Sequence, residues 1–340
     1  MQYGVVLPIQ GIHQSLDDFL GELITESVVA EEAGFDAVFL PEFHQARHGA
    51  VISPMVVGAA ILQATSTLRF GTAVLAAPLH HPVRIAEDAL MLDWLSSGRF
   101  ILGLGAGHLL ADFLAYGIDH GTRTDRFEEI LLILEHCFSG ESFNYDGDFF
   151  QIEAEITPQP YSEPRPPIWI GSHGSAGIDR AARFGDLWLA DPQRHVDVVA
   201  ELAGSYRNQC EVHGTAPAVG MFREAWIGNE CESATAEWSD AVVGVHRLYY
   251  NVGAYRPQFE PWAARPLSRS ELNFDLLSPG RFLVGDGDSL RHTVSQWRQM
   301  TGVEYLALRF RHPKGPSHRA TCEALRRFGE EVITTKTGSG

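Results

Sequence analysis

Phe100-Ile101-Leu102-Gly103-Leu104-Gly105-Ala106-Gly107-His108 is the stretch on which the fold turns. Its first five residues read as a short buried strand, and its glycines spell GxGxG. An open, doubly wound dinucleotide-binding sheet calls for GxGxxG opening a helix, with an acidic residue closing the βαβ unit. Here the glycines follow the fourth apolar run of the chain, and no such acid is placed nearby. The glycine turn therefore reads as the end of one strand among several.

Outward from that stretch, short β-branched or apolar runs alternate with longer helical patterns, the signature of parallel βα units. Eight strands are expected: Tyr3–Leu7, Ala37–Leu40, Leu68–Val74, Phe100–Leu104, Ile168–Gly171, Leu187–Ala190, Ala218–Ile227 and Tyr305–Phe310. Between the first two, Leu16, Phe19, Leu20, Leu23, Ile24 and Val28 recur at helical spacing, and Gly34 stands where a helix stop favours positive φ. The same pattern covers Pro82–Leu95 before Gly98, Ala176–Phe184 before Gly185 and Ser289–Met300 before Gly302. The expected fold class is α/β, a single (β/α)8 barrel of the TIM type over residues 1–334.

Two connections break the repetition. Asn144–Phe149 places Asp146-Gly147 between aromatic-rich arms, a hairpin signal inside the fourth connection. Asn251–Arg281, rich in proline and aromatic residues, reads as a long insertion between strands seven and eight. Long βα loops of barrel enzymes lie over the active site. The end of the chain, 335–340, reads as a frayed or appended tail.

The chain has 340 residues, 45% hydrophobic and 20% charged, with a formal net charge of −17. Such a surface repels nucleic acid and anionic membranes at long range. The run Tyr3–Leu7 is too short for a signal-peptide core, and no apolar stretch reaches spanning length. Cys137, Cys210, Cys231 and Cys322 are scattered without a CxxC pair, so a reducing cytoplasm is the expected location.

Catalytic residues of barrels come from strand ends. After strand two stands Glu42-Phe43-His44, where an imidazole of near-neutral pKa suits proton transfer and a carboxylate can orient it. Ala73-Val74 ends strand three, and Gly105, Ala106, Gly107 and His108 follow strand four. After strand five, Gly171-Ser172-His173-Gly174-Ser175 precedes a helix, a geometry that offers unpaired N–H groups to an anion. His44, His48, His80, His81 and His108 show no HExxH or similar ligand spacing, so no metal site is expected.

Joined in order, Phe39–His44, Leu68–Ala73, His81–Asp88, Leu92–Phe100, Pro167–Gly171, Ala181–Asp186 and Phe282–Gly285 closely resemble the bacterial luciferase-like flavin monooxygenases. The likeness runs from Tyr3 to about Val332. It implies a barrel that binds FMNH2, or the deazaflavin F420, with the isoalloxazine in the barrel mouth. It also implies a non-prolyl cis peptide at Ala73-Val74, a flavin-site histidine region at Glu42-Phe43-His44 and a phosphate turn at Gly171–Ser175. Two departures stand out. Luciferase has adjacent histidines after the strand-two glutamate, and Phe43 takes the first position here. A phosphate-contacting arginine after strand four is replaced by Ala106, which passes that task to backbone amides, to His173 or to Arg123.

The resemblance implies a monooxygenase that takes FMNH2 from a separate reductase, forms a C4a-(hydro)peroxyflavin with O2 and oxygenates a small organic substrate. His44 and Glu42 are then the catalytic pair. Phe43, His108 and Trp226 line the substrate pocket, and a homodimer is expected. An F420-dependent hydride-transfer oxidoreductase on the same fold is the alternative, since Gly105-Ala106-Gly107 suits a cofactor held by backbone groups. A noncatalytic flavin-binding partner subunit is the second, prompted by Phe43.

Overall fold

A computed structural model of the chain describes residues 1–11, 14–45 and 51–334. The apolar runs form eight parallel strands: β1 Gln2–Val6, β2 Ala37–Leu40, β3 Arg69–Thr72, β4 Phe100–Gly105, β5 Ile168–Gly171, β6 Leu187–Ala190, β7 Val219–Ile227 and β8 Tyr305–Arg309. Each pairs with its sequence neighbour, and Gly4 of β1 sits between Ala37 of β2 and Ala307 of β8, so the sheet closes. The 3.6-residue patterns between strands become the outer helices, whose apolar stripes pack on the outward face of the barrel.

Inward-pointing side chains alternate along each strand and plug the lower barrel. Phe39, Trp169 and Tyr305 meet there, with Trp169 and Tyr305 ring centroids 4.7 Å apart and Phe39 and Trp169 5.1 Å apart. The Tyr305 hydroxyl donates to Asp36 at 2.9 Å, which satisfies its only polar group. Gly4 is demanded by this plug, because a Cβ there would lie 2.6 Å from the Phe39 ring.

The expected helices are found as Leu16–Glu32, Pro82–Ser96, Ser175–Phe184 and Gly287–Thr301. Gly34, Gly98 and Gly302 have positive φ as their stop role requires, whereas Gly185 does not, with φ −96°. That position is glycine for space: a Cβ would approach the Ala181 carbonyl oxygen to 2.9 Å. The expected hairpin is the antiparallel pair Phe143–Asp146 and Gln151–Ala154.

One expectation is corrected. Strand three does not run to Val74: its ladder stops at Thr72, the chain turns through Ala73-Val74, and Leu75–Ala76 then pairs with Leu104 and Gly105. Beyond the eight barrel strands the sheet has two further parallel strands, Leu75–Ala76 on β4 and Phe282–Gly285, which takes the edge of β7 above β6. The long seventh connection is found as expected, and holds the helix Cys231–Asn251 and the short turns Pro261–Ala264 and Phe274–Leu277 before the strand Phe282–Gly285. The tail and His48 lie outside the described residues. All four cysteines are free. Among the described residues no helix is long and apolar enough to cross a membrane.

Candidate active site

Strand β2 delivers Glu42 to the mouth with its side chain only 1% exposed. One carboxylate oxygen accepts from His44 Nε2 at 3.0 Å and from His80 Nε2 at 2.7 Å, and the other accepts the Ala76 N–H at 2.7 Å. A carboxylate only accepts, so both histidines donate Nε2–H and keep Nδ1 as the basic nitrogen. His44 is buried with its ring 5.2 Å from that of Tyr116, on the helix Leu110–Tyr116. Asp112 of the same helix is buried with Oδ1 unpartnered, and burial pushes its carboxyl above the ordinary range. Phe43 is half-buried beside this group.

The Ala73-Val74 peptide is cis, as the resemblance implies. It turns Val74 across the mouth so that the glycines opposite become necessary. A Cβ on Gly105 would lie 2.7 Å from Val74 Cγ2, and one on Gly171 3.0 Å from Val74 Cγ1. The Thr72 hydroxyl donates to the Gly103 carbonyl at 2.6 Å and accepts the Gly103 N–H at 2.9 Å, locking β3 to β4 beneath. Val74 over two glycines thus makes a flat apolar floor.

On the far side, the helix Ser175–Phe184 starts at Gly174 with no side-chain cap, and Gly174, Ser175 and Ala176 are exposed. Its first N–H groups and the positive end of its dipole face outward. Ser172 Oγ is buried without a partner in the same turn, whose backbone is fixed by Trp188 Nε1 donating to the Ser172 carbonyl at 3.0 Å. His173 Nδ1 lies 3.4 Å from Asp191 Oδ2. Burial lowers the His173 and His108 pKa values below that of a free imidazole, which disfavours the cationic form of either ring. Arg123 donates to the His120 carbonyl at 2.9 Å and acts electrostatically on both histidines.

The sequence model described as luciferase-like monooxygenase matches residues 1–305. This chain belongs to that family. A protein of Sinorhizobium fredii is 32% identical over 177 residues, an alignment that spans 52% of this chain and half the length of that relative. The oxygenase component of a flavin-dependent trigonelline monooxygenase from Acinetobacter baylyi is 25% identical across 78% of this chain and 71% of its own. An F420-dependent hydroxymycolic acid dehydrogenase of Mycobacterium tuberculosis is 29% identical over 63% of this chain and 61% of its own. Among solved structures, the oxygenating constituent of 3,6-diketocamphane monooxygenase from Pseudomonas putida, in complex with FMN, superposes with a TM-score of 0.84 at 18% identity. It covers 98% of this chain and 97% of the other.

In this luciferase-like barrel the mouth is walled on the β7–β8 side by a buried polar network that the sequence reading missed. Glu224 pairs with Arg309, whose Nε donates at 2.9 Å, and accepts from His246 Nε2 at 3.2 Å. His246 also bonds Tyr255, and Arg309 donates to Tyr249 at 3.0 Å, so the seventh connection is sewn onto the strand ends. Against the cost of its burial, the Arg309 guanidinium and the hydrogen bond from His246 hold the Glu224 carboxyl well below the usual carboxylate range. Burial drives His312 down to about 3. Trp226 does not join the site: its N–H reaches Glu237 on the helix Cys231–Asn251, and its ring lies in the outer core.

Glu42, His44, Ala73, Val74, Gly105 and Gly171 are therefore brought together, while His108 follows β4, His173 follows β5 and Arg123 opens the helix Arg123–Ser139. Asp191 stands just after β6, and Glu224 and Arg309 lie in β7 and β8, the part of the later strands where the strand-end signal also holds. His80 carried no distinguishing signal, since only the fold places it on Glu42. Elsewhere Glu22, Glu26 and His318 converge within 4.8 Å, but Arg311 pairs with both carboxylates and occupies the charge a metal would need.

Proposed function

We propose that this chain is the oxygenase of a two-component monooxygenase. It takes reduced FMN from a separate reductase and uses O2 to place one oxygen atom on a small organic substrate, the other leaving as water. The observation that carries the reading is the buried Glu42 carboxylate holding two imidazoles beside the Val74 floor. The residues also fit the cofactor's anionic end, because an uncapped helix start and an orphaned Ser172 Oγ form a cradle short of one anion. Gly171, Ser172, Gly174 and Ser175 would hold the phosphate, with Arg123 assisting.

The bound flavin supplies the oxygen chemistry. Glu42 fixes the orientation and tautomer of His44, which exchanges a proton at Nδ1. Val74, Gly105 and Gly171 give the ring a flat support, and Tyr116 and Phe43 keep water from the His44 side. A cytoplasmic homodimer belongs to the same reading, and light scattering at micromolar concentration is expected to return twice the chain mass.

The deciding experiment supplies enzymatically regenerated FMNH2 and screens organic substrates by product mass under 18O2. A product heavier by one labelled oxygen supports the reading. Reduction or oxidation of substrate without oxygen incorporation, driven by F420 under anaerobic conditions, would replace it. Ala106, at the position of the absent arginine, is what favours this second reading.

A further inference from the structure

In a chain of net charge −17, cations without acidic partners are worth tracing. Arg123 and Arg256 make no ion pair with a carboxylate among the described residues, and both act electrostatically on His173 beside the uncapped helix start. Arg256 belongs to the seventh connection, which a chain of contacts brings to this corner. Asp191 Oδ2 lies 3.4 Å from His173 and 3.8 Å from Arg194 Nε, and Arg194 Nη1 donates at 3.2 Å to the carbonyl of Ala254. The Arg194 guanidinium also lies 4.6 Å from the Phe259 ring centroid, clamping residues on both sides of Arg256. Tyr255 is turned inward and buried, bonded to His246, which leaves the next side chain, Arg256, exposed. Arg194 itself is 2% exposed and leaves Nε without an acceptor.

We propose that Arg256, together with Arg123, closes the anion cradle at Gly171–Ser175 and makes it selective for a phosphomonoester dianion. The proposal rests on the flavin reading above and adds to it the residue that replaces the arginine missing at Ala106. Two guanidiniums without carboxylate partners among the described residues and a helix N-terminus match two negative charges. A phosphodiester monoanion leaves one guanidinium uncompensated, and a flavin without phosphate leaves both. The docking of the seventh connection and the occupancy of the cradle then become linked, because one charge of the site is carried by that connection.

The test measures binding of photoreduced FMN and photoreduced riboflavin to the full chain by anaerobic ultrafiltration at fixed ionic strength. The parent is expected to hold FMN at least about 10-fold more tightly than riboflavin. Arg256→Gln should weaken FMN by about 10- to 100-fold, the range of a lost charge-assisted contact, and leave riboflavin unchanged. Arg256→Lys should recover part of the loss, and an unaltered thermal midpoint shows that the exposed substitution leaves folding intact. An FMN-to-riboflavin ratio that is the same in Arg256→Gln as in the parent overturns the clamp while leaving the flavin reading standing. Equal affinity of the parent for both flavins does the same. Absence of binding to either flavin overturns the flavin reading and the clamp with it.

Discussion

Replacing Glu42 by glutamine changes one oxygen into an NH2 group and alters no volume. The carboxylate accepts three hydrogen bonds, from His44, His80 and the Ala76 N–H, at 3.0, 2.7 and 2.7 Å. A glutamine that keeps its oxygen on Ala76 turns a donor toward two donors, and both imidazoles must change tautomer or leave. A bond to a charged acceptor contributes about 1.5–3 kcal/mol and a neutral one about 0.5–1.5, so the two imidazole contacts together lose on the order of 2–4 kcal/mol. If half of that is felt as misplacement of His44 in the transition state, turnover falls roughly 5- to 30-fold, at 1.4 kcal/mol for each factor of ten. Reduced-flavin affinity should change little, since the hydrogen-bond partners of the Glu42 carboxylate are His44, His80 and Ala76 and not the Gly171–Ser175 turn. The assay is single-turnover product formation with FMNH2 prebound, compared with His44→Gln and His80→Gln. If Glu42→Gln turns over within threefold of the parent while His44→Gln is impaired, the orienting role assigned to Glu42 is wrong.

The Gly174→Asp protein should fold normally but lose most of its reduced-FMN affinity, because a carboxylate at the helix start competes for the cradle; unchanged affinity by ultrafiltration would show that the phosphate binds elsewhere. A Cβ on Gly105 meets Val74 Cγ2 at 2.7 Å, so Gly105→Ala must shift the floor. Weaker binding of FMN and riboflavin alike is expected there, and an unperturbed ratio between them separates it from the phosphate variants. His312 should make the protein acid-sensitive. Its folded pKa is depressed by burial to about 3 from the ordinary imidazole value of 6.5, so below the unfolded value the unfolded chain binds one more proton than the native one. Stability is then fully present above that value and falls as pH drops toward the folded one, by about 1.4 kcal/mol per unit. Urea midpoints measured from pH 7 to 4 should show a shallower decline for His312→Phe; parallel curves would mean that His312 does not drive the acid transition.

Much of the barrel was legible because short-range physics writes it. Buried parallel strands need continuous apolar runs, outer helices need a 3.6-residue stripe, and Gly34, Gly98 and Gly302 are required where the chain must adopt positive φ. Glu42, His44 and the Gly171–Ser175 turn were legible for a related reason, since a barrel presents whatever follows a strand to its mouth. Gly185 shows the limit of that logic: the same residue type marks a close approach to Ala181 rather than a left-handed cap.

What only the tertiary structure decided are partnerships between residues far apart in sequence. His80 and Glu42 are 38 positions apart and share a hydrogen bond because β2 and the turn after β3 are neighbours in the closed sheet. Glu224 finds Arg309 at a separation of 85 because β7 and β8 are adjacent. Trp226 and Phe222 lie on one strand, yet Phe222 fills the barrel and Trp226 packs under an outer helix. Sequence periodicity sets which residues share a face of a helix, or of a strand that keeps its regular alternation. Which faces then meet depends on ring closure and on where a long connection docks, and those are set by the joint burial of many side chains that no local pattern encodes.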